Sequence, residues 1–233
     1  MPQAEEIRKM FGSIVGRYDL LNRLLSLGLD RKWRAALARS LKAQAPGTVL
    51  DLCCGTGDLG LAVLEHAGEA ELLVAADFSL PMCRAARSKL SSFSLGGPAW
   101  ACACADSLRL PFADRVFDSV SVAFGVRNFE DMDQGLAEIF RVTRPGGSLY
   151  ILEFAPPEGF LLRTLYRPYL KLVPPLLGRL VAGAGVAYSY LSSSIESFLR
   201  PEAMLKALAS CGFQNPKAAK LTLGITYLYT ARR

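Results

Sequence analysis

Val49-Leu50-Asp51-Leu52-Cys53-Cys54-Gly55-Thr56-Gly57-Asp58-Leu59 is an apolar run that passes straight into a glycine-rich turn and then into a helical pattern. An apolar run of this length, closed by a turn signal, reads as a buried strand over 48–54, with a helix from about Asp58. Glycine suits such a turn because a side chain would block close approach of a ligand to the backbone. Gly-x-Gly alone occurs in many tight turns, so the context has to decide. Asp77 ends the next apolar run, twenty residues after Gly57. There its carboxylate can accept both hydroxyls of a ribose.

The acids around the turn narrow the ligand. Dinucleotide sites prefer a third glycine that admits a pyrophosphate, whereas this chain has Asp58-Leu59-Gly60. A carboxylate at a helix N-terminus repels phosphate. It suits a cationic, phosphate-free nucleoside, and S-adenosylmethionine, with an ammonium and a sulfonium, meets that description. Asp51 is then expected to reach the amino group, directly or through water, and Gly55 and Gly57 to form the floor of the site. A Rossmann-like turn that holds no ligand is the alternative. Asp106, just past a third apolar run, can accept from an adenine amino group, or can serve only as a turn residue or helix cap.

Outward from this motif, strands and helices alternate. Strands are expected at 72–78, 100–106, 117–125 and 148–154, and helices at 79–90 and 131–143. In the second of these, Met132, Leu136, Ile139 and Phe140 fall at helical spacing. It stops at Arg144-Pro145-Gly146-Gly147. The alternation implies a parallel sheet with helices on both faces. A helix over 201–213 with Gly212 as its C-cap, then two strands turning at Gly224, complete the chain as an antiparallel edge hairpin. The stretch 155–200 breaks the rhythm with Pro156-Pro157, Pro168 and Pro174-Pro175, and reads as a helical insertion covering the C-terminal edge of the sheet. The fold class is therefore α/β and Rossmann-like, with a mostly parallel seven-stranded sheet. Residues 1–233 are expected to form one domain, with an N-terminal helical cap over about 1–45 and the insertion over about 155–200.

Bulk composition sets outer limits. With 233 residues, of which 51% are hydrophobic, the chain can build one large core. The net charge of +6 fits nucleic acid, an anionic membrane or an anionic ligand. Its Lys and Arg are scattered, without the basic-aromatic platforms of a nucleic-acid binder, so no nucleic acid partner is expected. Six cysteines show no CxxC pair, and with a single histidine, His66, neither a metal site nor a Ser/His triad is expected. The cysteines read as buried thiols and His66 as a surface residue. The first residues, MPQAEEIRKMF, lack an apolar signal-peptide core, and no run reaches the length of a membrane span. The expected location is the cytoplasm, with membrane contact at most peripheral.

Three segments carry a more specific likeness. Tyr18-Asp19-Leu20-Leu21-Asn22-Arg23-Leu24-Leu25-Ser26, running on to Trp33, is the first. The others are Phe124-Gly125-Val126-Arg127-Asn128-Phe129 with Asp131, and Arg141-Val142 through Pro145-Gly146-Gly147 to Leu152-Glu153-Phe154. Together with Tyr188-Ser189-Tyr190-Leu191, Ser194-Ile195, Leu221-Thr222 and Gly224-Ile225, they resemble the C-methyltransferases of ubiquinone and menaquinone biosynthesis over nearly the whole chain. The resemblance implies a class I S-adenosylmethionine-dependent methyltransferase whose cofactor contacts map onto Thr56, Asp77, Asp106 and Ser107. The chain departs from that pattern at Asp30, where a histidine is usual, and at Ala123, where a serine often stands.

It further implies a prenylated quinol as substrate, demethylmenaquinol or the ubiquinol precursor, with another phenolic or lipid-like small molecule as the alternative. Methylation at carbon requires a ring hydroxyl to lose its proton, at a cost of roughly 4 kcal/mol at pH 7 for a phenol of pKa about 10. Arg127 is the candidate for stabilising the phenolate and Asn128 for orienting a ring oxygen or water, with Tyr18 and Asp19 closing the site. Arg stays protonated, so the proton is expected to leave through water. A surface ion pair for Arg127 and a helix cap for Asn128 are the alternatives. In the insertion, Phe160, Leu161, Leu162, Tyr166, Tyr169, Leu176, Leu177 and Val181 suit an isoprenoid tail or plain core packing. Arg163, Arg167, Lys171 and Arg179 could rest on an anionic membrane. Oligomeric state is not read from the sequence, which is compatible with a homodimer.

Overall fold

The structure is a computed structural model that describes residues 4–44, 47–66, 70–93, 99–156 and 185–233, with residues 164, 169, 172 and 173 between the last two. Of the tail-contact candidates only Tyr169 is described; Phe160, Leu161, Leu162, Tyr166, Leu176, Leu177, Val181 and the basic residues Arg163, Arg167, Lys171 and Arg179 lie outside the described residues.

Seven strands form one sheet. They are β1 (Thr48–Leu52), β2 (Leu72–Asp77), β3 (Ala99–Cys104), β4 (Phe117–Ala123), β5 (Thr143–Phe154), β6 (Gln214–Leu221) and β7 (Thr226–Arg232), in the order β3-β2-β1-β4-β5-β7-β6. The first five run parallel, and β7 pairs antiparallel with both β5 and β6. The order reverses between β1 and β4, which makes the crevice beyond their C-terminal ends the place where such sheets bind ligands.

The helices are α1 (Ala4–Ser26), α2 (Leu29–Lys42), α3 (Asp58–His66), α4 (Leu80–Ser91), α5 (Met132–Val142), α6 (Gly185–Ser197) and α7 (Pro201–Ser210). Alternation along the strands sends Leu50, Leu52, Val120, Val122, Leu149 and Ile151 into a core shared with Leu136 and Ile139 of α5 and Met204 and Leu208 of α7. Val49, Leu73 and Leu152 enter the opposite core, with Leu37 and Leu41 of α2, Val63 of α3 and Leu90 of α4. Each such side chain is worth about 1.5–3 kcal/mol of burial, so both faces of the sheet are held strongly. Both N-terminal helices border the ligand crevice. The second is a full member of a sheet layer, burying Trp33, Leu37, Ala38 and Leu41.

Three local readings change in detail. α5 starts at an N-cap, Asp131, whose side chain accepts from the Gln134 amide (2.9 Å). The Arg144-Pro145-Gly146-Gly147 breaker ends α5 but lies inside β5, where it forms an irregularity: Phe117 pairs with Thr143, while Ser119 pairs with Ser148. The strands 48–54 and 117–125 stop short, at Leu52 and Ala123, because Cys53 (φ 56°) and Phe124 (φ 59°) turn left-handed immediately afterwards. The cysteines are also less buried than expected, since only Cys54 and Cys83 are buried and Cys104 is exposed.

Candidate active site

The two left-handed residues sit at the ends of β1 and β4, on either side of the switch point. Left-handed backbone costs a side-chain-bearing residue roughly 1–2 kcal/mol, so strain here is concentrated where the crevice opens. The packing leaves no slack: a Cβ on Gly125 would stand 2.5 Å from Cys53 Cβ, and one on Gly57 would stand 3.1 Å from Ala86 Cα of α4. Both glycines are thus required for the loops after β4 and β1 to close on their neighbours.

A cavity opens there, lined by Gly55, Asp77, Ser79, Asp106, Ser107 and Asn128, with Phe78, Met82, Leu108 and Phe129 as its apolar surface. The Asp77 carboxylate is fixed from behind. Its Oδ2 accepts from the Gly55 amide (2.9 Å) and its Oδ1 from the Ser79 amide (2.8 Å), while burial pushes its pKa up. Each oxygen keeps acceptor capacity for a ribose hydroxyl. Asp106 is exposed at the opposite wall, and its Oδ1 accepts from the Leu108 amide (2.9 Å). It therefore shapes the turn and lines the cavity at once.

Asp51 behaves otherwise. It does not line this cavity; it is fully buried beneath the loop, facing the Gly60 backbone at the start of α3, which also hydrogen-bonds to it. Burial raises its pKa to about 8, with the Arg34 guanidinium pulling the other way. Thr56 and Asp19 also stand back from the cavity lining, in a charged network. The Thr56 hydroxyl donates to Asp19 Oδ1 (2.5 Å), and Lys89 of α4 bridges Asp19 (2.6 Å), Thr56 (3.2 Å) and Asp58. Asp19 accordingly acts as a tie between α1 and the glycine loop rather than as a group facing a substrate. Nothing in the sequence marks Lys89 for this position.

Tyr18 faces the other way and lines both this cavity and a second one. Burial raises its phenol, partly offset by a hydrogen bond with Asn22 and by the charges of Arg127 and Arg34. The second cavity is mostly apolar, bounded by Leu25, Leu27, Leu29, Leu191, Ile195 and Ile225, by Tyr169, and by a cluster of Trp33, Phe124 and Phe154. Trp33 is anchored by donating from Nε1 to Thr222 Oγ1 (2.8 Å). Guanidinium groups lie over two of these rings, Arg34 over Phe124 and Arg127 over Phe154, each at 5.6 Å. Asp30, the departure from the usual histidine, also borders this cavity; it accepts from Ser26 (2.8 Å) and Arg34 (2.5 Å).

Arg127 lies in a 3₁₀ turn (Val126–Asn128) directly after β4. The surface ion pair offered for it is instead a buried one. Its side chain is 5% exposed, and Nη1 donates to Glu153 Oε1 (2.8 Å) and to the Phe124 carbonyl (2.6 Å). Glu153 is fully buried at the end of β5; desolvation raises its pKa while Arg127 and two backbone amides lower it. Arg127 Nε is buried with no partner among the described residues, and Arg127 lines the apolar cavity. Asn128 is not a helix cap, since Asp131 takes that place. Its Oδ1 accepts from the Tyr190 hydroxyl of α6 (3.0 Å), which joins the insertion to the site. A sequence signal for Glu153 did exist: an acid within the apolar run Leu149–Phe154 must be paired if buried.

The sequence profile of the ubiE/COQ5 methyltransferase family matches residues 2–233. A demethylmenaquinone methyltransferase from Thermus thermophilus is 44% identical over 224 residues, covering 96% of this chain and 100% of that one. One from Deinococcus radiodurans is 43% identical, covering 97% and 92%. The ubiquinone/menaquinone biosynthesis C-methyltransferase UbiE of Geotalea daltonii is 38% identical, covering 99% and 97%. Among solved structures, human N-acetylserotonin methyltransferase in complex with SAM superposes with a TM-score of 0.62 at 18% identity, over 93% of this chain and 55% of that one. A SAM-dependent methyltransferase from Aquifex aeolicus gives 0.55 at 17%, over 79% and 81%. At such identities the likeness shows the fold, whereas the profile and the near-full-length relatives show the lineage: the chain belongs to the ubiE/COQ5 methyltransferase family.

Proposed function

We propose that this methyltransferase moves the methyl group of S-adenosylmethionine to a ring carbon of a prenylated quinol, demethylmenaquinol first and the demethylated ubiquinol precursor as the second candidate. The observation that carries the reading is the pair of adjoining cavities. One is polar-edged and fit for a nucleoside, the other is apolar, and Tyr18 and Phe124 line both. The nucleoside cavity suits the cofactor chemically: oriented carboxylate oxygens at Asp77, the Asp106-Ser107 edge, and apolar surfaces from Phe78, Met82 and Phe129 for a purine. Asp51, Thr56 and Gly57 support that loop from behind.

When bound, the cofactor supplies an electrophilic methyl group. The chain's own residues supply position and charge. Arg127 offers donor capacity to a ring oxygen at the border of the apolar cavity, where low dielectric strengthens the contact. Glu153 fixes the guanidinium and offsets part of its charge, so we assign it as a positioning residue. Asn128, held by Tyr190, orients the oxygen or a water that carries the proton away. Asp19 and Tyr18 fasten α1 over the site. Among the described residues no helix is long and apolar enough to cross a membrane, and access to a lipid-dissolved quinol is assigned to peripheral contact with an anionic bilayer.

The test is methyl transfer from labelled S-adenosylmethionine to short-tail demethylmenaquinol and, separately, to the short-tail ubiquinol precursor. Label on a ring carbon of either supports the assignment and sets the substrate range. Cofactor binding without label on either retracts the quinol.

A further inference from the structure

Helix α1 buries Leu21 against Met10, Ile14, Leu25 and Leu191, and turns a different stripe to water. At 100° per residue, Arg23, Leu20, Leu24 and Arg17 share an arc of about 120°, with the arginines at its two edges. Leu20 is 54% exposed and Leu24 44%. The stripe ends at Leu27, 83% exposed and left-handed (φ 52°), which also borders the apolar cavity. The turn Thr222–Gly224 is held by the Trp33–Thr222 hydrogen bond and runs into Ile225, and Trp33 and Ile225 both line that cavity; the turn presents Leu223, 81% exposed and again left-handed (φ 58°). Two strained turns thus each put a leucine into water beside one cavity, a conformation that costs and that solvent does not reward.

Along the segment that carries these leucines the exposed charge has one sign. From residue 10 to 44, every exposed charged side chain is basic: Arg17, Arg23, Arg31, Lys32, Arg39 and Lys42. The two acids of that segment are taken up, Asp19 by Lys89 and Asp30 by Arg34. Leucines framed by cations fit the boundary between anionic headgroups and acyl chains.

From this we infer that the outer face of α1, with the turns at Leu27 and Leu223, is the surface that docks on an anionic lipid bilayer and sets the apolar cavity against the acyl region. The inference rests on the quinol reading for its purpose but not for its test. Docking of this kind lets a long isoprenoid tail remain in lipid while its ring enters the cavity past Leu27, so tail length would not need to be matched by the protein.

The test uses the full chain with vesicles of phosphatidylcholine alone and of phosphatidylcholine mixed with phosphatidylglycerol. Binding to the anionic vesicles, weakened by salt, is expected. Arg17→Gln/Arg23→Gln should weaken it by roughly 30-fold, about 5-fold per cation. Leu20→Ser/Leu24→Ser should weaken it by about tenfold or more. These four residues line neither of the two large cavities, so methylation of a short-tail quinol in solution should be unchanged, whereas turnover of long-tail quinol in vesicles should fall with binding. Equal binding to both vesicle types, or variants that bind as the parent does, overturns the inference. So does a concentration-dependent dimer abolished by the leucine pair, which gives the face to a second copy. Vesicle binding that follows the prediction while no quinol is methylated sustains the docking face and removes the substrate instead.

Discussion

The two halves of the crevice are built in different ways. Under β1 and β2, the nucleoside side is a local construction: a glycine turn, a carboxylate at a strand end, and backbone amides of Gly55 and Ser79 that hold it. Past β4 and β5, the apolar side, where we place the substrate ring, is assembled from distant parts. Tyr18 comes from α1, Trp33 and Arg34 from α2, Arg127 follows β4, Glu153 ends β5, and Tyr190 belongs to α6. The first half positions by backbone, the second by buried charge and aromatic contact. Substitutions should therefore damage affinity for the cofactor on one side and turnover or stability on the other.

The largest effect is expected at Glu153. Glu153→Ala leaves the Arg127 guanidinium buried without its counter-ion, which should cost about 3–5 kcal/mol of stability in chemical denaturation. Glu153→Gln, which keeps the shape, should retain the fold yet lower kcat and shift its pH profile. A profile identical to the parent would show the pair to be structural only. On the other side, Asp77→Ala should raise the dissociation constant for S-adenosylmethionine by about 10–100-fold, read by calorimetry, through loss of charge-assisted hydrogen bonds. Turnover at saturating cofactor should change little.

Smaller effects sharpen the boundary between the halves. Tyr190→Phe removes one hydrogen bond to Asn128, worth about 1 kcal/mol, and should reduce kcat several-fold with cofactor affinity intact. Lys89→Met loosens α1 from the glycine loop. Because the network is part-exposed, the change should reach about 1 kcal/mol at most, visible as a faster cofactor off-rate. Last, Asp51 has a pKa raised to about 8. An acid raised in the folded state contributes stability that is full below its unfolded value and is lost as pH rises to the folded one. Stability should therefore fall as pH rises from about 4 to 8, and Asp51→Asn should flatten that slope. An unchanged slope in the variant would remove Asp51 as its source.

What could be read beforehand follows the same division. The strand-turn-helix at 48–59, Asp77 and the strand-helix alternation with its edge hairpin follow from short-range patterns, because period and glycine placement are local properties. Arg127 and Asn128 were marked by resemblance, but their partners were not deducible from spacing. Nothing in 80–91 distinguishes Lys89 from any surface lysine, and Glu153 lies 26 residues from the guanidinium it holds. Tyr18 and Asp19 read together as closing the site; on a helix, adjacent residues point about 100° apart, and Asp19 instead meets the glycine loop. Such pairings depend on how helices pack on the sheet, which a single sequence leaves open.

The division between the halves, and with it the assignment of Arg127, is tested most directly by one paired measurement on Arg127→Ala: single-turnover methylation of short-tail demethylmenaquinol, alongside titration with S-adenosylmethionine. A fall in the methyl-transfer rate of about a hundredfold or more, an electrostatic contribution of roughly 3 kcal/mol, with cofactor affinity within about threefold, is the predicted result. Lost cofactor binding with an unchanged rate at saturation would contradict it and move Arg127 to the nucleoside half.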